Sequence, residues 1–186
     1  TVGETSYVLT GLTMVTDYTV IVSSLCEDGT ETMTTTTSFR TAYECPDSIE
    51  LPWIENFDAD EVEECWTSLD LDGNTVDNWT VTNGKARTGY NEDGEANDWF
   101  ISPAIELPAD ASGLVVRYSV TGDSYVDDNT GMIMYYTHYQ ARISAGGTDT
   151  ADFTYVLASD ELADVSSTHC FSLAPFGGRT IRIAFI

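Results

Sequence analysis

Tyr18-Thr-Val-Ile-Val-Ser-Ser24, then Glu27-Asp28-Gly29, then Met33-Thr-Thr-Thr-Thr-Ser-Phe-Arg-Thr41 is the stretch that decides how the 186-residue chain is read. Tyr18, Val20 and Val22 fall on one side of an extended backbone and Thr19, Ile21 and Ser23 on the other, the period of two that a strand imposes. Met33–Thr41 is crowded with β-branched residues, which suit a pleated surface better than a helix. Asp28-Gly29 between the runs tolerates positive φ and predicts a hairpin turn. Ser6–Leu12 alternates in the same way, so residues 1–43 read as three consecutive strands. Three strands carry too little apolar surface to stand alone.

The same pattern continues outward. Tyr43–Pro52 is a connector punctuated by Pro46 and Pro52. Beyond it, Trp53–Phe57, Trp79–Thr82, Trp99–Ser102, Gly113–Val120, Met132–Tyr136, Tyr139–Ser144, Phe153–Ala158, Thr168–Leu173 and Thr180–Ile186 are strand candidates. Polar loops separate them, among them Asp70–Asn74, Asn91–Asn97 and Asp123–Asn129. Short strands at regular spacing with polar turns predict an all-β chain built as an antiparallel β-sandwich or jelly roll. Helical turns are expected only at Asp58–Glu64 and Asp160–Asp164, neither long enough for a helical face.

Hydrophobic residues at 42% and aromatics at 11% are enough for a core, so the acidity does not signal disorder. Seven basic against thirty-one acidic side chains give a net charge of −24. That balance excludes the electrostatic route to nucleic acid, which needs Lys and Arg to displace counterions from phosphates. It also argues against docking on anionic lipid. No stretch approaches the ~18 consecutive apolar residues of a membrane-spanning helix. No charged-then-apolar leader opens the chain, and Thr1 reads as the middle of a module. Carboxylates in excess suit a solvated exterior or a divalent-cation site.

Two resemblances follow from particular residues. Leu12 six positions before Tyr18, in Gly11-Leu-Thr-Met-Val-Thr-Asp-Tyr18, resembles the tyrosine corner of a fibronectin type III module, with Ser38-Phe-Arg-Thr41 closing its last strand. Residues 1–44 would then be the C-terminal half of such a module, strands E to G, and 45–52 a linker. From about Leu51 the chain resembles the cleaved-adhesin domain, a gingipain-adhesin-like, MAM-like jelly roll of secreted bacterial surface proteins, with the jelly roll itself at 53–186. The resemblance rests on Leu51-Pro-Trp-Ile-Glu-Asn-Phe-Asp58, Cys65-Trp66, Asp70-Leu-Asp-Gly-Asn74, Asp77-Asn-Trp79 and Asn97-Asp-Trp-Phe-Ile-Ser-Pro103. His138-Tyr-Gln-Ala-Arg-Ile-Ser144, Asp152-Phe153, Leu173 and Gly177-Gly-Arg-Thr-Ile-Arg-Ile-Ala-Phe185 complete it. The family continues into a further Asp-Asp-Ile-like strand, so the jelly roll of residues 53–186 is expected to lack its last strand.

Asp70, Asp72, Asn74 and Asp77 lie within eight positions of one another, with Glu55 and Asp58 nearby in sequence. Hard oxygen donors at that density suit Ca²⁺, although Gly73 falls too early for an EF-hand loop. A solvated acidic turn is the competing reading. The resemblance favours structural calcium, with Glu55 and Asp72 as direct ligands joined by Asp70 and Asp98. Trp53, Trp66, Trp79 and Trp99, with Tyr90, Tyr125, Tyr135 and Tyr136, raise the question of a sugar-stacking platform. Trp79 and Trp99 sit in strand patterns and read as core. Tyr125, with Asp127 and Asn129 on the same acidic loop, is the candidate ligand-binding group.

No catalytic constellation emerges. His138 and His169 are the only histidines, and there is no HExxH, Gly-x-Ser-x-Gly or phosphate-binding glycine loop. His169 and Cys170 are adjacent on a strand, so they face opposite ways and cannot act as a base and nucleophile. The chain reads as non-enzymatic.

Cys26, Cys45, Cys65 and Cys170 form no CxxC pair, against zinc and thioredoxin-like chemistry. Spacing alone leaves a reduced set and a bridged set equally open, while the exported character of the composition favours at least one bridge. MAM-type domains bridge cysteines placed like Cys45 and Cys65, so the resemblance implies that disulfide and leaves Cys26 and Cys170 unpaired or buried. Asn78-Trp-Thr80 fits an N-glycosylation acceptor, and Asp47-Ser-Ile49 and Asp149-Thr-Ala151 resemble bacterial O-glycosylation sites. The function expected is a secreted or surface adhesion module of a Gram-negative bacterium, recognising carbohydrate or host glycoprotein on a calcium-braced sandwich beside flanking domains of the same polypeptide. The alternatives are a structural spacer, or an accessory domain of a larger secreted peptidase or glycosidase.

Overall fold

The computed structural model describes residues 6–58, 64–75, 78–89, 96–122, 125–127, 129–135, 137–162 and 166–186. The chain divides into two compact units, Thr1–Cys45 and Pro46–Ile186. Cys45 and Cys65 are joined in a disulfide, and Cys26 and Cys170 are free and exposed.

The first unit is a hairpin of β1 (Asp17–Leu25) and β2 (Glu31–Arg40), paired antiparallel with Tyr18 opposite Phe39 and Val22 opposite Thr35. The predicted turn is present. Gly29 sits at φ +82 and donates its N–H to the Cys26 carbonyl at 2.9 Å, and the Asp28 carboxylate accepts from both the backbone and the hydroxyl of Thr30. Ser6–Leu12, expected as a strand, is not one. It alternates, but among the described residues no strand hydrogen-bonds to it, and alternation alone does not hold an extended segment in a sheet.

The second unit is a two-layer antiparallel sandwich. Its larger sheet runs in the order β12-β11-β14-β6-β3, from β12 (Tyr155–Leu162) through β11 (Thr137–Ser144), β14 (Thr180–Phe185) and β6 (Asp98–Ile101) to β3 (Thr67–Asp70). The short β7 (Ile105–Glu106) also pairs with β14. The last strand in sequence thus lies between β11 and β6, so the sheet is closed by contacts distant along the chain. All four residues of β6 are buried, as a central strand covered on both faces requires. The second layer is β8 (Val115–Thr121) with β13 (Ser166–Ser172). Exposure alternates along both strands, placing Val116, Tyr118, Val120, His169 and Phe171 inward. Tyr118, Val120 and Phe171 pack on Tyr139, Ala141, Ala158 and Leu162 of the large sheet and His169 meets Tyr139, while Val116 packs on the adjoining core of Ile143, Leu173, Phe176, Ile181 and Ile183. Small hairpins complete the unit: β4 (Thr80–Val81) with β5 (Ala86–Arg87), and β9 (Tyr125–Val126) with β10 (Ile133–Tyr135).

The fold corrects further expectations. Trp53–Phe57 is not a strand; it is held by aromatic contacts, Trp53 and Phe57 packing against Trp66 at 5.9 and 5.5 Å. Residues 160–162 of the expected turn Asp160–Asp164 belong to β12, because Asp160, Glu161 and Leu162 pair with Tyr139, His138 and Thr137, and the sheet outweighs local turn preference. Residues 163 and 164 lie outside the described residues, as do 59–63 of the turn expected at Asp58–Glu64. Finally, β3, β5, β7 and β9 carry no strand pattern that could announce them. Apart from β3 they are two residues long, too short to show a period, and β3 joins the sheet at its edge through β6.

Trp79 and Trp99 pack as expected. Trp99 is buried edge-on against Phe153, and Trp79 stacks on Phe100 at 5.4 Å. Trp66 covers the same Phe100 at 4.6 Å, nearly parallel.

Candidate metal centre and ligand loop

The antiparallel register of β3 and β6 sets Asp70 directly opposite Asp98. Two residues past the end of β3, Asp72 folds back toward the same place. Carboxylate oxygens of Asp70, Asp72 and Asp98 all lie within 4.8 Å of one another. Gly73 turns the chain at φ +86, a conformation that side-chain-bearing residues resist, and its N–H donates to Asp70 Oδ1 at 2.6 Å. Asp72 Oδ1 accepts from the Asn74 N–H at 2.8 Å and its Oδ2 from the Asn97 N–H at 2.9 Å. Leu71 N–H donates to the Asn97 carbonyl at 3.2 Å, so loop and strand are laced together from both directions.

Three carboxylates this close repel one another. Each unit-charge pair at ~4 Å costs about 1 kcal/mol in bulk water and about 4 kcal/mol near a protein surface. Asp98 is only 3% exposed, which places its carboxylate nearer the costly end. The N–H donors offset part of this repulsion, and a divalent cation would reverse its sign. An all-carboxylate donor set of this kind fits Ca²⁺ or Mg²⁺ and not a softer metal.

Of the four residues expected to hold metal, the fold brings together Asp70, Asp72 and Asp98. Glu55 is engaged elsewhere: its Oε1 accepts from the Phe57 N–H at 2.9 Å and its Oε2 from the Trp66 indole N–H at 3.3 Å. Asp77 lies outside the described residues.

The expected ligand loop connects β9 to β10. Asp127 Oδ1 accepts from the N–H groups of Asn129 and Thr130, both at 2.8 Å, and from the Thr130 hydroxyl at 3.1 Å. These donors hold the Asp127 carboxyl below the usual carboxylate range, the Thr130 N–H contributing most. Gly131, at φ +67, donates to the Asp127 carbonyl and closes the turn. Asn129 is exposed at the tip, while Tyr125 contributes its backbone to the hairpin and its side chain lies outside the described residues. Tyr90, Asp123, Asp128 and Tyr136 also fall outside.

One polar cluster carries no sequence signal. Between the two layers the Tyr139 hydroxyl meets His169 Nε2 at 2.9 Å, and the Tyr118 hydroxyl lies 3.4 Å from it. Burial pushes both phenols above their ordinary range. The three residues come from three strands far apart in sequence, so no local spacing marks them. His138 lies opposite Glu161 on the surface, 3.9 Å away.

Comparison with protein families matches the Cleaved Adhesin Domain over residues 50–180. Among solved structures, the chain is similar to the K3 cleaved adhesin domain of Lys-gingipain from Porphyromonas gingivalis W83. The two share 16% identity at a TM-score of 0.49, over 70% of this chain and 86% of that one. It is also similar to the K1 cleaved adhesin domain of the same protein, at 17% identity and a TM-score of 0.44, over 65% and 79% of the respective chains. A search of curated proteins finds no match. With 131 consecutive residues, well over half of the chain, accounted for by that one family, the chain belongs to the cleaved adhesin domain family.

Proposed function

We propose that this chain is a non-catalytic binding module of a secreted or surface bacterial protein, recognising carbohydrate or host glycoprotein through loops on a calcium-braced sandwich. Family membership makes it an adhesion-type module of a larger protein, and this is the observation that carries the reading. The acidic exterior and the lack, among the described residues, of any helix long and apolar enough to cross a membrane are compatible with an exported, solvated module. Asp70, Asp72 and Asp98 would hold the calcium, whose chemistry here is to neutralise clustered charge and tie the Asp70–Asn74 loop to β6. Residues 1–44 would be the end of a fibronectin type III module, with β1 and β2 as its last two strands. In support, the Tyr18 hydroxyl accepts from the Thr13 N–H at 2.8 Å, folding the strand entry back on itself much as a tyrosine corner does.

The test is binding of the purified chain to a glycan array, mucin and matrix proteins at micromolar concentration, with calcium and with EGTA. Saturable binding to a glycan or glycoprotein supports the reading. Absence of binding to every surface removes recognition and leaves a spacer.

A further inference from the structure

The loop that joins β11 to β12 builds a shallow cleft whose chemistry is distinct from that of both acidic loops. Ser144, the last residue of β11, is 1% exposed; its hydroxyl donates to the Gly147 carbonyl at 2.8 Å and accepts from the Gly146 N–H at 3.3 Å. The floor of the cleft is therefore fixed from beneath and carries no side chains at Gly146 and Gly147. A Cβ added to Gly147 would collide with the Asp152 carboxylate, which lies directly over it, whereas one added to Gly146 would meet nothing within 4 Å. Asp152 is itself held, its Oδ2 accepting from the Asp149 N–H at 3.2 Å.

The wall is Tyr155. Pairing of β11 with β12 slips by one residue, Ala141 opposite Ala158 but Arg142 opposite Val156. This bulge moves Tyr155 onto the face of Ile143, its cross-strand partner in the core cluster that contains Phe176. There the ring stands edge-on to buried Phe176 at 5.0 Å and 87°, yet Tyr155 remains 46% exposed. Its orientation is thus set while part of its surface is open to the cleft. Arg179, just before β14, also lines the cleft, and its guanidinium forms no ion pair among the described residues.

We propose that this cleft binds a neutral hexose residue of a glycan. The apolar face of a sugar ring would lie against Tyr155, with Asp152 accepting from hydroxyls and Arg179 donating to them. The preformed floor lowers the ordering cost of binding. The neutral class follows from charge: the −24 of the chain repels anionic sugars at long range, and Asp152 repels them within the cleft. The inference rests on the carbohydrate-recognition reading above and gives it a location other than the Asp127 loop.

The test titrates the full chain with methyl glycosides of galactose, mannose and N-acetylglucosamine, and with a methyl sialoside, following ¹H–¹⁵N shifts. At least one neutral glycoside should move the amides of Gly146, Gly147, Tyr155 and Arg179, and the sialoside should not. Gly146→Leu fills open space without straining the backbone and should weaken binding by about tenfold or more with the melting curve unchanged. Tyr155→Ala and Arg179→Gln should weaken it as well. Should Tyr155→Ala unfold the protein, Gly146→Leu decides. Glycosides that bind with shifts elsewhere, undisturbed by Gly146→Leu, overturn the cleft and leave carbohydrate recognition standing. Binding to mucin without binding to any neutral glycoside likewise overturns the cleft alone. Preference for the sialoside overturns the neutral class, and silence from every sugar and glycoprotein overturns both proposals.

Discussion

The Asp70–Asn74 loop and the Asp127–Gly131 loop look alike in sequence, each a short acidic stretch turned by a glycine at positive φ. In the folded chain they do opposite things with their charge. Asp127 spends one carboxylate oxygen on three donors within its own turn, so its negative charge is satisfied locally. Asp70 and Asp72 are brought against Asp98, a buried acid from a strand nearly thirty residues away, so their charge accumulates. A carboxylate count says nothing about which of these will happen. Both turns give N–H groups to their carboxylates; what decides is whether strand pairing sets a further acid beside them.

The largest effect expected if Asp70, Asp72 and Asp98 hold calcium is a cation dependence confined to the first loop. A ligand at a hundred times its dissociation constant adds about 2.7 kcal/mol to the folded state. For a domain of this size that is a melting-temperature shift of about 5–10 °C. EGTA should therefore lower the melting temperature by several degrees, and Asp98→Asn should abolish the difference between calcium and EGTA. Asp127→Asn should leave that difference intact. Coincident melting curves in calcium and EGTA, with no metal by elemental analysis, would break the contrast at its root.

Much of the fold is legible in the sequence because most of it is written in short periods. Tyr18–Ser24 and Gly113–Val120 are read as strands and Asp28-Gly29 as a turn, since the physics that sets them is local. Asp98 enters the predicted site only through a resemblance; nothing nearby in sequence points from it to Asp70, and the register of β3 with β6 makes the connection. Glu55 shows the converse. Its proximity in sequence suggests a shared site, but the indole of Trp66 and the turn at Phe57 engage its oxygens. The Tyr155 cleft is invisible in the sequence because it depends on a one-residue bulge, which flips which side chains face the core without changing the composition of β12. Pairing decides the sites; period decides only the strands.

A finer division of the two loops comes from their glycines. Gly73 at φ +86 and Gly131 at φ +67 both occupy the left-handed region, so replacing either with Ala should destabilise the protein by about 1 kcal/mol. Neither a Cβ on Gly73 nor one on Gly131 meets an atom within 4 Å, so the cost is backbone strain and not collision. The two variants should then melt alike in EGTA. In calcium they should separate, because only Gly73 donates its N–H to a carboxylate of the triplet. Calcium titration by calorimetry should show a weakened affinity for Gly73→Ala and an unchanged one for Gly131→Ala. Equal affinities would mean that the Asp70 contact does not position the site.

The smallest effect belongs to the satisfied loop itself. Hydrogen bonds from Thr130 and Asn129 depress the folded-state pKa of Asp127. A carboxyl whose folded pKa lies below its unfolded value contributes stability at pH values above the unfolded pKa, and loses it as pH falls through the folded one. Above about pH 5 the contribution should be complete, and it should fade below about pH 4, where the unfolded chain takes up the proton first. Because Asp127 lies in an exposed turn, salt and water weaken the effect, and the global melting temperature should barely move in Asp127→Ala. The local readout is sharper. Amide exchange at Asn129 and Thr130 should accelerate in Asp127→Ala at neutral pH, while the amides of Gly73 and Asn74, which donate to Asp70 and Asp72, keep their protection. Acceleration in both loops together would show that the two turns answer to one common charge, and the distinction between consumed and gathered carboxylates would fail.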